Sequence, residues 1–181
     1  WSQNGNDRGK NGPLRVNKSK IDQKYPLFKK VLDATKEAGY KIFNDSNNIN
    51  NEGFGTFDVT INKGVRQSVA KAYLEPIQSR KNLRIINNID VKKILLKNKT
   101  AIGVETIKKN ITNKYLANKE VILCAGSINS PKILQLSGIG NEKHLKSLGI
   151  KVINNLVGVG ENLQDHLEIY IQYKSKKNET L

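Results

Sequence analysis

The chain has 181 residues, 37% of them hydrophobic and 26% charged, which is enough for one sizeable domain or parts of two. Its formal net charge of +15 favours polyanions and anionic membrane surfaces, but the basic residues are scattered in pairs such as Lys29-Lys30, Lys92-Lys93, Lys108-Lys109 and Lys176-Lys177. One cysteine, Cys124, excludes an intrachain disulfide, and no run approaches the ~20 apolar residues that span a bilayer.

Residues 1–22 are polar and glycine-rich, with Gly12-Pro13 as a turn signal. Tyr25-Pro26 then leads into a helix in which Leu27, Phe28, Val31, Leu32, Thr35 and Ala38 share one face, and Gly39 stands where it stops. Pro26 suits the first helical turn, where its missing N–H has no intrahelical partner. The asparagine-rich stretch 44–51 reads as a loop closed by Glu52-Gly53-Phe54-Gly55. Residues 56–61 alternate like a strand, Asn62-Lys63-Gly64 turns the chain, and 68–74 form a short helix.

After Pro76 the pattern changes to period two. Strands are predicted at 83–86, 91–96, 101–107 and 111–116, with Lys97-Asn98-Lys99-Thr100 as a hairpin connection. Val121-Ile122-Leu123-Cys124 is wholly apolar, the pattern of a strand buried on both faces, with Cys124 packing as a small hydrophobe. This strand ends in Ala125-Gly126-Ser127 and passes into a helix with Ser130 as N-cap and Pro131 as its first residue. A further helix over 142–148 stops at Gly149, Gly158-Val159-Gly160 makes a turn, and residues 167–173 read as a last strand.

The chain is therefore mixed α/β. A buried strand that ends in small residues before a helix N-terminus is how such folds bind dinucleotides, since the helix offers free N–H groups and partial positive charge. Ala125 and Gly126 would let a cofactor come close to the backbone. The same glycine turn also serves purely structural ends in many α/β connections.

The stretch from Gly126 through Ser130-Pro131 and Ile133-Leu134 to Ser137-Gly138-Ile139-Gly140 agrees at every constrained position with a signature of the glucose–methanol–choline (GMC) oxidoreductases. Downstream, Gly158-Val159-Gly160-Glu161-Asn162-Leu163-Gln164-Asp165-His166 resembles the family's G-V-G-x-N-L-x-D-H segment. Upstream, Gly12-Pro13-Leu14, Glu52-Gly53-Phe54-Gly55 and the spacing of Arg66, Ser68, Ala70, Tyr73 and Leu74 are similar to its choline-oxidising members. Val157 stands where members often carry Pro, which alters the rigidity of the local turn.

The resemblance implies FAD as cofactor and a small-molecule alcohol, choline foremost, as substrate; other GMC alcohol dehydrogenases and oxidases are the alternative. It implies a partial FAD/NAD(P)-binding-type sheet domain with part of a substrate domain. Residues 1–60 fall on the substrate side, 61–166 in the FAD-binding domain, and 167–181 at the start of the substrate-domain sheet. Val91 would contact the adenine through its backbone, with Cys124, Ala125 and Gly126 beside the adenosine–diphosphate portion; on its residues alone, Val91 is simply part of a strand.

No catalytic residue is expected here, because the family's catalytic histidine belongs to a motif beyond Leu181. Asp165-His166 accordingly reads as structural and His144 as surface. No His and carboxylate groups show metal-ligand spacing, and no G-x-G-x-x-G turn precedes residue 91. The chain has no Met and opens on Trp1 with nothing like a signal peptide, so it reads as an internal piece of a longer enzyme, inactive and without bound flavin when isolated. The implied location is cytoplasmic or membrane-associated, with peripheral membrane contact by the full enzyme. A basic nucleic-acid-binding module is the rival from another class. It rests on charge alone, without an arginine cluster or stacking platform, and is set aside.

Overall fold

Pro26 does open a helix. In this computed structural model, which describes residues 9, 11–19, 25–47, 52–174 and 176, helix α1 runs Pro26–Glu37. It closes with Gly39 in the left-handed region, where the Gly39 N–H donates to the Lys36 carbonyl and the Tyr40 N–H to the Thr35 carbonyl. These are the two bonds of a Schellman cap. Leu27, Phe28, Leu32 and Thr35 are half-buried, whereas Val31 and Ala38 are exposed, so the predicted apolar face is only partly covered. The residues predicted as loop at 48–51, and parts of the polar stretch at 1–22, lie outside the described residues.

The chain divides into two compact units, one of Trp1–Arg84 with Ile171–Leu181 and one of Ile85–Tyr170. In the first, β1 (Asn17–Lys18) pairs antiparallel with β2 (Asp58–Val59), and β3 (Ile61–Asn62) with β4 (Val65–Arg66). The single strand predicted over 56–61 is thus two short pieces, because the chain changes pairing partner midway. The turn predicted at Asn62-Lys63-Gly64 is present, with both Lys63 and Gly64 at positive φ.

Glu52-Gly53-Phe54-Gly55 lies against Lys41–Phe43. The Phe43 N–H donates to the Phe54 carbonyl and the Phe54 N–H to the Lys41 carbonyl, each at 2.8 Å. Tyr40 and Phe54 meet edge to face with centroids 5.4 Å apart. A Cβ on Gly55 would stand 2.5 Å from the Phe43 ring and carbonyl, so backbone proximity explains that glycine. The helix predicted over 68–74 is a π-helical turn, Ala70–Leu74, followed by a 3-10 turn, Glu75–Ile77. Ser68 Oγ accepts the Lys71 N–H ahead of it, and Pro76, which has no N–H to give, prevents a regular continuation.

The second unit is built on a three-stranded antiparallel meander, β5 (Asp90–Lys97), β6 (Thr100–Lys108) and β7 (Ile111–Leu116). Its two hairpin loops, Asn98-Lys99 and Lys109-Asn110, place both central residues at positive φ, as type I′ turns demand. Helix α2 (Gly126–Leu136) packs on β5, burying Ile94 and Ile133. After it, β8 (Ile139–Gly140) and β9 (Asn154–Asn155) pair in parallel. Between them in sequence lies α3 (Glu142–Ser147), whose Leu145 is fully buried. Asn141 caps α3 by accepting the His144 N–H, and Gly149 ends it as predicted.

Three predicted strands are not strands. Residues 83–86, 121–124 and 167–173 have no paired partner among the described residues, and a strand exists only through its ladder. Ile122 is 75% exposed and Cys124 is exposed as well, so the segment predicted to be buried on both faces is buried on one at most. The helix after it also begins earlier than predicted, at Gly126 instead of Pro131, which puts Pro131 inside it.

Candidate functional site

The site grows from the turn that links residues 121–124 to α2. Along the approach Val121 and Leu123 are half-buried while Ile122 and Cys124 face outward, the alternation of an extended chain. Ala125 follows at φ −90° and ψ 11°, and Gly126 turns the chain at φ +82°. Only glycine adopts that value without steric cost, so the reversal is completed in one residue and the helix starts at once. Ser130, predicted as an N-cap, acts differently. Its Oγ accepts the Ala125 N–H at 3.1 Å, from inside the helix.

The far end of α2 is tied to β5. Ser137, buried, accepts the Ile94 N–H at 2.8 Å through Oγ and donates from the same oxygen to the Ile133 carbonyl at 2.5 Å. That bond satisfies a backbone N–H which β6 does not reach, and it sets the distance between helix and strand. Val91 lies three residues before Ile94 on the same strand and is 38% exposed.

The outcome is a concavity of about 460 Å³ whose lining includes Ile89, Asp90, Val91, Ala125, Asn129 and Lys132. Two of the four candidate residues, Val91 and Ala125, are thus brought together although they are distant in sequence. Cys124 and Gly126 flank Ala125 in the chain but do not line this space, and Cys124 is exposed instead of buried. Asn129 and Lys132 were missed because they occupy unconstrained positions of the signature. Helical spacing carried the signal: 125, 129, 132 and 136 recur at steps of three and four and share one face.

A second concavity of about 700 Å³ shares Lys132 and is bordered by Ser127, Gln135, His144 and residues 160–164. Gln135 Nε2 donates to the Val159 carbonyl at 3.1 Å, and this bond pins the Gly158-Val159-Gly160 turn against α2. His144 is exposed, as predicted. His166 is exposed too, with its backbone N–H bonded to Asp165 Oδ1 at 2.7 Å.

Helices and strands joined through a glycine corner of this kind make a mixed α/β protein. The sequence pattern of the GMC oxidoreductase family covers residues 6–168, and the chain belongs to that family. It is 49% identical to the mitochondrial choline dehydrogenase of Homo sapiens over 174 residues, which is 96% of this chain and 29% of that protein. To the oxygen-dependent choline dehydrogenase of Photobacterium profundum it is 44% identical, over 96% of this chain and 31% of that protein. Among solved structures, an FAD-dependent oxidoreductase from Chaetomium thermophilum superposes on 90% of the chain with a TM-score of 0.83 and 36% identity, covering 28% of its own length. Pyridoxine 4-oxidase from Mesorbium loti superposes on 81% of it and 29% of its own length, with a TM-score of 0.71 and 28% identity. The chain thus spans less than a third of these relatives. No helix among the described residues is long and apolar enough to cross a membrane.

Proposed function

We propose that the protein carrying this chain is an FAD-dependent alcohol oxidoreductase that oxidises choline to betaine aldehyde, and that the unit Ile85–Tyr170 holds the adenosine half of the cofactor. The observation that carries the proposal is the concavity lined by both Val91 and Ala125. Its volume of about 460 Å³ is within the range of small-molecule sites. Beside Gly126 nothing stands within 4 Å of where a Cβ would be, so the approach to the corner is open. The first N–H groups of α2 have no intrahelical acceptor and favour a diphosphate there. These residues fit an adenine dinucleotide.

On this reading Val91 presents its backbone to the adenine across the space it shares with Ala125, and Cys124 and Gly126, which flank Ala125 in the chain, lie beside the adenosine diphosphate. Lys132 adds positive charge beside them. Residues 61–166 contribute to the FAD-binding domain, and residues 1–60 and 167–181 to the substrate side. FAD, when bound, supplies the acceptor for the hydride that leaves the alcohol carbon. The hydroxyl proton goes to a base other than these residues, and this chain contributes binding and orientation. The identities of 49% and 44% to two choline dehydrogenases support choline as the alcohol.

The deciding experiment is choline-dependent reduction of an artificial electron-accepting dye by the whole protein saturated with FAD. Flavin that stays oxidised with choline but bleaches with another primary alcohol would move the assignment to that alcohol. A whole protein that takes up no FAD would overturn it. The net charge of +15 further supports peripheral contact with an anionic membrane. Co-sedimentation with anionic vesicles, lost in high salt and absent with neutral ones, is the expected result.

A further inference from the structure

We infer that Ser130 is a positioning residue for the cofactor corner, its hydroxyl holding Ala125 and Gly126 in the shape that lies against the adenosine. The consequence for binding rests on the FAD reading above; the hydrogen bond itself does not.

At an ordinary helix start the capping side chain precedes the helix and accepts an N–H two or three residues further on. Here the direction is reversed. Ser130 sits within α2 and its Oγ reaches back to the Ala125 N–H, five residues earlier, at 3.1 Å. Among the described residues, no other side-chain hydrogen bond reaches residues 121–126. Apart from the Ala125 carbonyl, which accepts the first bond of α2, the corner has little else to hold it. Gly126 is at φ +82° with open space beside it, so no packed Cβ opposes rotation of its peptide planes. The preceding segment, 121–124, has no ladder among the described residues.

Ser130 is itself well placed to act as a fixed point. It is half-buried and lies inside α2. Three residues on, Ile133 is buried against the sheet, and Ser137 bolts the helix to β5. The hydroxyl therefore transmits the position of the packed helix to Ala125, the residue that shares a concavity with Val91. Without it, the peptide between Cys124 and Ala125 loses its one side-chain anchor, and the wall facing Val91 loses definition.

The experiment compares the whole protein with Ser130→Ala and Ser130→Thr. Fluorescence titration gives the affinity for FAD, and hydrogen–deuterium exchange over residues 121–127 is followed without FAD. In S130A we expect faster exchange in that segment and FAD binding weakened roughly tenfold, the scale of one lost hydrogen bond. In S130T, which keeps the hydroxyl, both readouts return to within about threefold of the parent. An S130A protein that is folded, exchanges as the parent does and binds FAD as tightly overturns the inference, as does an S130T protein no better than S130A. A parent that binds no FAD sinks the functional reading instead, and the exchange data then still decide whether Ser130 holds the corner.

Discussion

Ser137 shows how much a single hydroxyl carries in this molecule. It answers a strand N–H and a helix carbonyl at once, from a buried position. Ser137→Ala leaves the Ile94 N–H without an acceptor and is expected to cost about 1–3 kcal/mol, read from urea denaturation of the protein. Glycines separate by what surrounds them. Gly126→Ala meets open space and bears only the strain of the left-handed conformation, about 1–2 kcal/mol. Gly55→Ala drives a methyl onto the Phe43 backbone and ring, where relief needs the backbone to move, so a larger loss, about 3 kcal/mol or more, is expected. Equal losses at the two glycines would contradict that ordering.

Elements follow their local chemistry where partners are near in sequence. The meander β5–β6–β7 was legible because alternating residues flank turns of two residues, and each ladder closes within a few positions. Lys99 occupies a type I′ position at φ +63° that glycine fills without strain. Lys99→Gly is thus expected to raise stability by about 0.5–1 kcal/mol, visible as a higher denaturation midpoint with an unchanged slope. The same local logic placed α1 and the ends of both α1 and α3. It failed at α2, where Ser130-Pro131 looks like a helix start in sequence. Gly126 turns the chain four residues earlier, and the Ser130 oxygen is engaged by Ala125.

For the whole molecule the telling feature is apolar surface that finds no cover among the described residues. Leu167, Ile169, Tyr170 and Tyr173 are each at least 80% exposed, and Ile122 is 75% exposed. Apolar exposure on this scale marks interaction surfaces. The 181-residue polypeptide by itself is accordingly expected to bind a hydrophobic dye and to self-associate, as seen in sedimentation velocity, despite its charge. A strictly monomeric chain with no dye response would contradict it. The choline dehydrogenase of Homo sapiens that the chain resembles is about three times as long.

By itself the sequence determined the class, the family, the helices α1 and α3, the meander and its turns. Each of these depends on residues close together in the chain or on a signature whose glycines, serines and proline are constrained one by one. Only the tertiary structure decided which candidate residues share a space. Val91 and Ala125 meet because α2 is fastened to β5 through Ser137, a contact between residues 43 apart. Cys124 faces outward because the strand predicted for it has no partner among the described residues, and hydrophobicity alone does not supply one.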